Sequence, residues 1–245
     1  MMSSHYYQNI IQLKAANQKM LAILIDPDKV NVTTIESLSE KINQSPATHI
    51  FVGGSTFDGN HLDELILKLK QNTKLPILLF PGNPSQISDK ADGILFLSLL
   101  SGRNPDFLIE HQVNAVPVLN KTNLEIISTG YLLIESGAET AVERVSQTKP
   151  LAISNPNYIV QTAQAAEMLG SKLIYLEAGS GAKNAVPLEI VSLVSKNISI
   201  PLIVGGGIGS LAHIDKTLQA GADLIVIGTA FENNVDFFKS EIKNR

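Results

Sequence analysis

The sequence contains no cysteine. That excludes a disulfide frame, a thiolate nucleophile and any cysteine-ligated metal centre. It also lacks an apolar run approaching the ~20 residues that span a bilayer. The first residues, Met1-Met-Ser-Ser-His-Tyr-Tyr-Gln-Asn9, show no basic stretch leading into an apolar core, so no signal peptide is expected. Positive charge is not in excess: 19 Lys and Arg face 23 Asp and Glu, a formal net charge of −4, which argues against nucleic acid as a partner. The five histidines, His5, His49, His61, His111 and His213, have no metal-ligand spacing. No lysine ends an apolar strand where Schiff-base chemistry needs one, and there is no G-x-S-x-G elbow. The glycine run from Gly205 to Gly209 imitates a dinucleotide fingerprint, but no acid ends the following strand as that motif requires. What is expected is a soluble, cytoplasmic protein without a dinucleotide fingerprint, a thiolate nucleophile or a Schiff-base lysine.

What is present is regular alternation. In 245 residues, 44% of them hydrophobic, short Ile/Leu/Val-rich segments alternate with amphipathic ones. The segments read as strands run from Leu21 to Ile25, His49 to Val52, Pro76 to Phe80, Gly93 to Leu97, Gly130 to Ile134, Leu173 to Glu177, Pro201 to Val204 and Asp223 to Ile227. Helices are expected through Gln18 and then from Thr33 to Asn43, Asn60 to Gln71, Asn104 to His111, Asn157 to Leu169, Pro187 to Ser195, Leu211 to Ala220 and Asn233 to Lys243. Pro117 argues for a break or kink between Val113 and Thr122. The polar stretch from Glu135 to Lys149 has no clear reading. Eight buried parallel strands of this kind predict one (β/α)8 TIM-type barrel over residues 1–245. There is little room for a helix between the third and fourth strands, so that helix is expected to be reduced or missing. A hydrophobic groove opens there, lined by Phe80-Pro81-Gly82 and Leu97-Ser-Leu-Leu-Ser101. It suits a long hydrocarbon or a partner subunit, or both.

In such a barrel the reactive loops all follow strand C-termini, so turns distant in sequence meet in space. Gly205-Gly-Gly-Ile-Gly209 and Gly228-Thr229 follow the seventh and eighth strands, the usual phosphate site of these barrels, where backbone amides face the anion. Plain tight packing of strand ends is the competing reading. Leu173-Ile-Tyr-Leu-Glu177 ends in an acid and runs into Ala178-Gly-Ser-Gly181. Tyr175 and Glu177 share one face, since strand side chains alternate. An acid beside a phosphate cradle makes sense as a general base for a phosphorylated substrate, its pKa raised by burial; the alternative is a salt bridge to Lys183. Lys183 itself suits either a phosphate or the solvent, and Tyr175 either a substrate hydroxyl or the core. Asp26, at the end of the first strand, suits a hard cation completed by phosphate oxygens and water, as Mg²⁺ prefers. Ser55 can add a hydroxyl to the same ion or be an ordinary turn serine. Asp28 is expected to cap the following helix.

Taken together, Leu24-Ile-Asp-Pro-Asp-Lys29, Phe51-Val-Gly-Gly-Ser-Thr56, Leu79-Phe-Pro-Gly82, Leu97-Ser-Leu-Leu-Ser-Gly-Arg-Asn-Pro105, Gly130-Tyr-Leu-Leu-Ile134, Tyr175-Leu-Glu-Ala-Gly-Ser-Gly181, Val204-Gly-Gly-Gly-Ile208 and Ile227-Gly-Thr229 resemble the geranylgeranylglyceryl phosphate synthase family, including its heptaprenyl-using relatives. The similarity covers nearly the whole chain, in order. It implies a prenyltransferase that joins a long polyprenyl diphosphate, geranylgeranyl diphosphate above others, to the hydroxyl of sn-glycerol 1-phosphate with Mg²⁺, releasing diphosphate. By position it implies Asp26 and Ser55 as metal residues. Tyr175, Leu176, Glu177, Ala178, Gly179, Ser180, Gly181, Gly206, Gly207, Gly228 and Thr229 would surround glycerol phosphate, with Glu177 as base and Tyr175 beside it. One branch of the family has a phosphate-binding lysine two places before the metal aspartate. Leu24 stands there in this chain, so the resemblance is to the other branch. A homo-oligomer, and transient membrane contact through the lipid substrate, are expected as well. Two readings of other classes fit the anion cradle: a sugar-phosphate isomerase and a non-catalytic phospholigand-binding barrel. Neither needs a metal-diphosphate half-site or an apolar groove.

Overall fold

The computed structural model describes residues 5–55 and 60–238. Eight parallel strands close into a barrel in sequential order: β1 (Met20–Ile25), β2 (His49–Val52), β3 (Ile77–Leu79), β4 (Gly93–Leu99), β5 (Glu125–Leu133), β6 (Leu173–Glu177), β7 (Leu202–Gly205) and β8 (Leu224–Ile227). The last strand pairs with the first, Ala22 opposite Val226. Parallel strands covered on both sides read as continuous apolar runs, and this is why they stand out in the sequence.

Alternation along each strand sorts side chains into two cores. Ala22, Phe51, Leu78, Leu95, Ile127, Tyr131, Tyr175, Ile203 and Val226 fill the barrel interior. Their neighbours, such as Ile23, Ile50, Leu132, Ile174, Leu176, Val204 and Ile225, pack outward against the helices. Those helices are α1 (His5–Ala15), α2 (Ile35–Asn43), α3 (Leu62–Asn72), α4 (His111–Leu119), α5 (Ala141–Ser146), α6 (Pro156–Met168), α7 (Leu188–Ser195), α8 (Leu211–Gln219) and α9 (Thr229–Asn233).

α1 closes the lower end. Ile10 enters the interior core, with Tyr6, Tyr7 and Leu13 packed beside it. The Glu125 carboxylate accepts the N–H groups of Tyr6 and Tyr7 at 2.6 and 3.0 Å, an anion on the free amides of a helix start. Lys14 holds the other end through Asp223 at 2.8 Å.

No helix separates β3 from β4; residues 80–92 run as turns and irregular chain. The reduced connection expected there is therefore present. Five expectations need correction. β5 begins at Glu125, five residues earlier than the apolar run suggests. α4 runs through Pro117, preceded by a π-helical turn at Asp106–Glu110. Both Pro117 and Val113 lie on the exposed face of α4, so the carbonyl that loses its donor faces water. Asn31, not Asp28, caps the helical segment after β1, accepting the Thr33 N–H. Pro187 is the residue before α7 rather than its first turn. The polar stretch of unclear reading holds α5, capped by Thr140. The last expected helix is displaced: α9 ends at Asn233, and residues 239–245 lie outside the described residues.

His49, at the start of β2, is buried, its Nδ1 2.8 Å from Thr48 Oγ1. Burial holds its pKa down at about 4, against 6.5 for a free imidazole. The unfolded chain takes up that proton below 6.5 and the folded chain only near 4. Stability present above pH 6.5 is therefore lost as pH falls between these values, by up to about 3 kcal/mol. Urea midpoints at pH 7 and pH 5 should show this loss, and His49→Gln should flatten it. An equal acid loss in His49→Gln would assign the effect to other groups.

Candidate active site

The mouth of the barrel holds two connected cavities. The first is a basin over the ends of β1, β2, β3, β5, β6, β7 and β8. Asp26, Ser55, Tyr175, Glu177, Gly179, Ser180, Gly181, Gly206, Gly207, Gly228 and Thr229 all line it. The second is an apolar groove between the β3–β4 connection and α4, lined by Pro81, Pro84, Ile87, Leu97, Phe107 and Ala115 among others. Gly54, Ser55, Phe80, Tyr131 and Val142 border both. The groove runs off the basin beside Ser55, where the β3–β4 helix would otherwise stand.

Two expected site residues do not reach the basin. Leu176 and Ala178 are fully buried and pack into the outer core, because residues between Tyr175, Glu177 and Gly179 point to the helices. Lys183 is exposed and outside the lining of both cavities. Arg103 donates to the Leu100 and Gly102 carbonyls and to the Tyr158 hydroxyl, tying its own loop to α6.

Glu177 is 6% exposed. Its Oε1 accepts the Gly179 N–H at 2.6 Å, and it makes no ion pair with Lys183. Burial raises its pKa above the usual 4.5, opposed by the Gly179 N–H and by the nearby Tyr175 hydroxyl. Gly206 has φ +81°, and a Cβ there would run into Glu177 Oε1. A side chain at this turn is excluded both by backbone conformation and by the acid it leans on.

Tyr175 is fully buried, and its hydroxyl has no hydrogen-bond partner of normal geometry. Burial, then the Glu177 charge, keeps its phenol firmly protonated. Its ring stacks on Phe80 at 5.2 Å, and Tyr131 stands edge-on to both at 5.3 and 5.8 Å. This aromatic trio forms the floor where basin and groove meet.

Asp26 faces the basin from the end of β1. Its Oδ1 accepts the Asp28 N–H at 3.2 Å. The carboxylate leans on Gly54, where a Cβ would fall 2.7 Å from Oδ1. Lys29 bridges Asp26 at 3.3 Å and Glu232 at 3.0 Å. Among the described residues no cluster of three or more His, Asp or Glu could hold a metal ion. One carboxylate with an adjacent hydroxyl fits only a cation that arrives with most of its oxygen ligands, as Mg²⁺ on a diphosphate does. Lys29, Glu232 and Tyr131 have no site role in the sequence reading, whereas Phe80 stands in the groove where that reading sets it. The pairing of β1 with β8 is what brings Lys29 to Glu232.

Fold and basin together define a TIM-type barrel with glycine turns around a buried acid at its mouth. The PcrB family model matches residues 14–245, and the chain belongs to that family. It is 64% identical over 234 residues to a geranylgeranylglyceryl phosphate synthase of Flavobacterium johnsoniae, covering 96% of each chain. It is 41% identical over 227 residues to the enzyme so named in Pyrococcus furiosus, covering 92% of this chain and 90% of that one. Among solved structures, (S)-3-O-geranylgeranylglyceryl phosphate synthase from Thermoplasma acidophilum, in complex with sn-glycerol-1-phosphate, superposes with a TM-score of 0.88. That pair is 34% identical, with 95% of this chain and 94% of the other covered.

Proposed function

We propose that this protein is a prenyltransferase that forms an ether bond between a long polyprenyl diphosphate and the hydroxyl of sn-glycerol 1-phosphate, releasing diphosphate. The observation that carries this is the continuity of an apolar groove with a glycine-turn basin containing a buried acid. A sugar-phosphate isomerase or a simple phospholigand binder has no use for the groove.

In this reading the glycerol phosphate lies against the turns at Gly179–Gly181, Gly206–Gly207 and Gly228–Thr229. Its hydroxyl faces Glu177, which removes the proton as oxygen attacks the allylic C1 of the donor. The phenol of Tyr175, held protonated, flanks the acid. The hydrocarbon leaves along the groove past Phe80 and Tyr131. Asp26 and Ser55 would hold Mg²⁺, which supplies charge neutralisation of the departing diphosphate. Holding both reactants in line is worth roughly 7–11 kcal/mol in favourable cases. Geranylgeranyl diphosphate is the proposed donor, in keeping with the names of the relatives. We also propose a cytoplasmic homo-oligomer. The apolar residues Ile109, Val113 and Val116, exposed at i, i+4 and i+7 beside the groove, support contact with a second copy.

The test incubates the protein with labelled sn-glycerol 1-phosphate, Mg²⁺ and prenyl diphosphates of increasing length. Organic-extractable label and inorganic pyrophosphate should appear in equal amounts, with the highest kcat/KM for a long donor. No pyrophosphate release with any donor would overturn the assignment.

A further inference from the structure

Both substrates of the proposed reaction are multiply anionic, yet the basin is lined by three carboxylates, Asp26, Glu177 and Glu232. Among the described residues, one lysine and no arginine lines either cavity, and that lysine is Lys29. Its side chain is 46% exposed and its ammonium group is held by two acids from different strand ends, Asp26 after β1 and Glu232 in α9. An ion pair with so exposed a cation contributes little, so giving up one of the two acids costs the lysine little. Lys29 stands next to the carboxylate proposed for the diphosphate half-site and is separated from the hydrocarbon groove by Asp26, Gly54 and Ser55.

We propose that Lys29 binds the diphosphate of the prenyl donor: its ammonium group leaves Asp26 when that carboxylate is engaged and takes a non-bridging phosphate oxygen, while Glu232 keeps it at the rim between turnovers. As the C–O bond breaks, the electron pair stays on the leaving oxygen and the diphosphate gains negative charge. A cation at this position favours departure. Lys29 then returns to Glu232 as the inorganic product is lost. The inference rests on the diphosphate lying at Asp26.

The test compares Lys29→Gln, Glu232→Gln and Asp26→Asn in the full chain with Mg²⁺. Binding of inorganic pyrophosphate is followed by calorimetry, and KM is measured for each substrate. Lys29→Gln should weaken pyrophosphate and raise the donor KM by roughly tenfold or more, the value of a charge-assisted hydrogen bond, while the KM for glycerol phosphate stays within about twofold. Glu232→Gln breaks the same ion pair but keeps the cation, so pyrophosphate should bind as well or better. Lys29→Arg should recover part of the affinity. If Asp26→Asn weakens pyrophosphate and Lys29→Gln does not, the inference fails and the half-site stands. If Asp26→Asn leaves pyrophosphate unchanged, the half-site itself is misplaced and the inference falls with it. Loss confined to glycerol phosphate in Lys29→Gln, or equal loss of pyrophosphate in Glu232→Gln, would also overturn the inference.

Discussion

Glu177→Gln is expected to lower kcat by roughly 10²–10⁴-fold, the usual worth of a positioned general base, with glycerol phosphate binding retained. The amide keeps the shape of the acid, can still accept the Gly179 N–H and fits the space left by Gly206. Only proton acceptance is lost. The wild-type rate should rise with pH along a limb centred above the ordinary glutamate value of 4.5, because burial holds the proton on longer; the variant should lack that limb. Stability moves the other way. The raised folded pKa stabilises the protein fully at acid pH, and that contribution disappears as pH climbs through the folded value and a charge must be buried. The variant should therefore be the more stable at neutral pH while being nearly inactive. A purified variant with normal turnover and an intact acid limb would remove Glu177 from the base role.

Asp26→Asn should reduce kcat/KM for the prenyl donor by roughly 10²–10³-fold, the scale of losing one group that stabilises a developing charge. The fold should tolerate it. The side chain is partly exposed, Asn can still accept the Asp28 N–H, and the ion pair lost with Lys29 is worth about 0–1 kcal/mol at most. Half-maximal activation by Mg²⁺ should shift to higher concentration, with the KM for glycerol phosphate little changed. Wild-type turnover insensitive to a chelator would sink the metal assignment, as would a variant whose only defect is in glycerol phosphate affinity.

The barrel was legible because buried parallel strands are continuous apolar runs, and seven of the eight lie within a residue or two of where the apolar pattern sets them. β5 was cut short for a physical reason. Its lower half carries Glu125, Ser128 and Thr129, and Ile126 is exposed, so that end of the strand looks like a loop. Glu125 is polar there because it caps α1, a partner 118 residues earlier in the chain. The glycine turns and Glu177 could be found because each is a local departure from an apolar strand. Lys29, Glu232 and Tyr131 could not, since nothing in their own segments distinguishes them. Their meaning comes from which strand ends become neighbours: β8 beside β1 for the first two, and the edge-on contact with Phe80 for Tyr131.

The lower end of the molecule bears on how the chain assembles. α1 is made early, yet the groups that seat it, Glu125 and Asp223, are 119 and 209 residues away along the chain. Such distant loops close at an entropic cost that grows with separation and slows folding. The helix that stoppers the barrel has to wait, its apolar side uncovered, until the final strand has been synthesised.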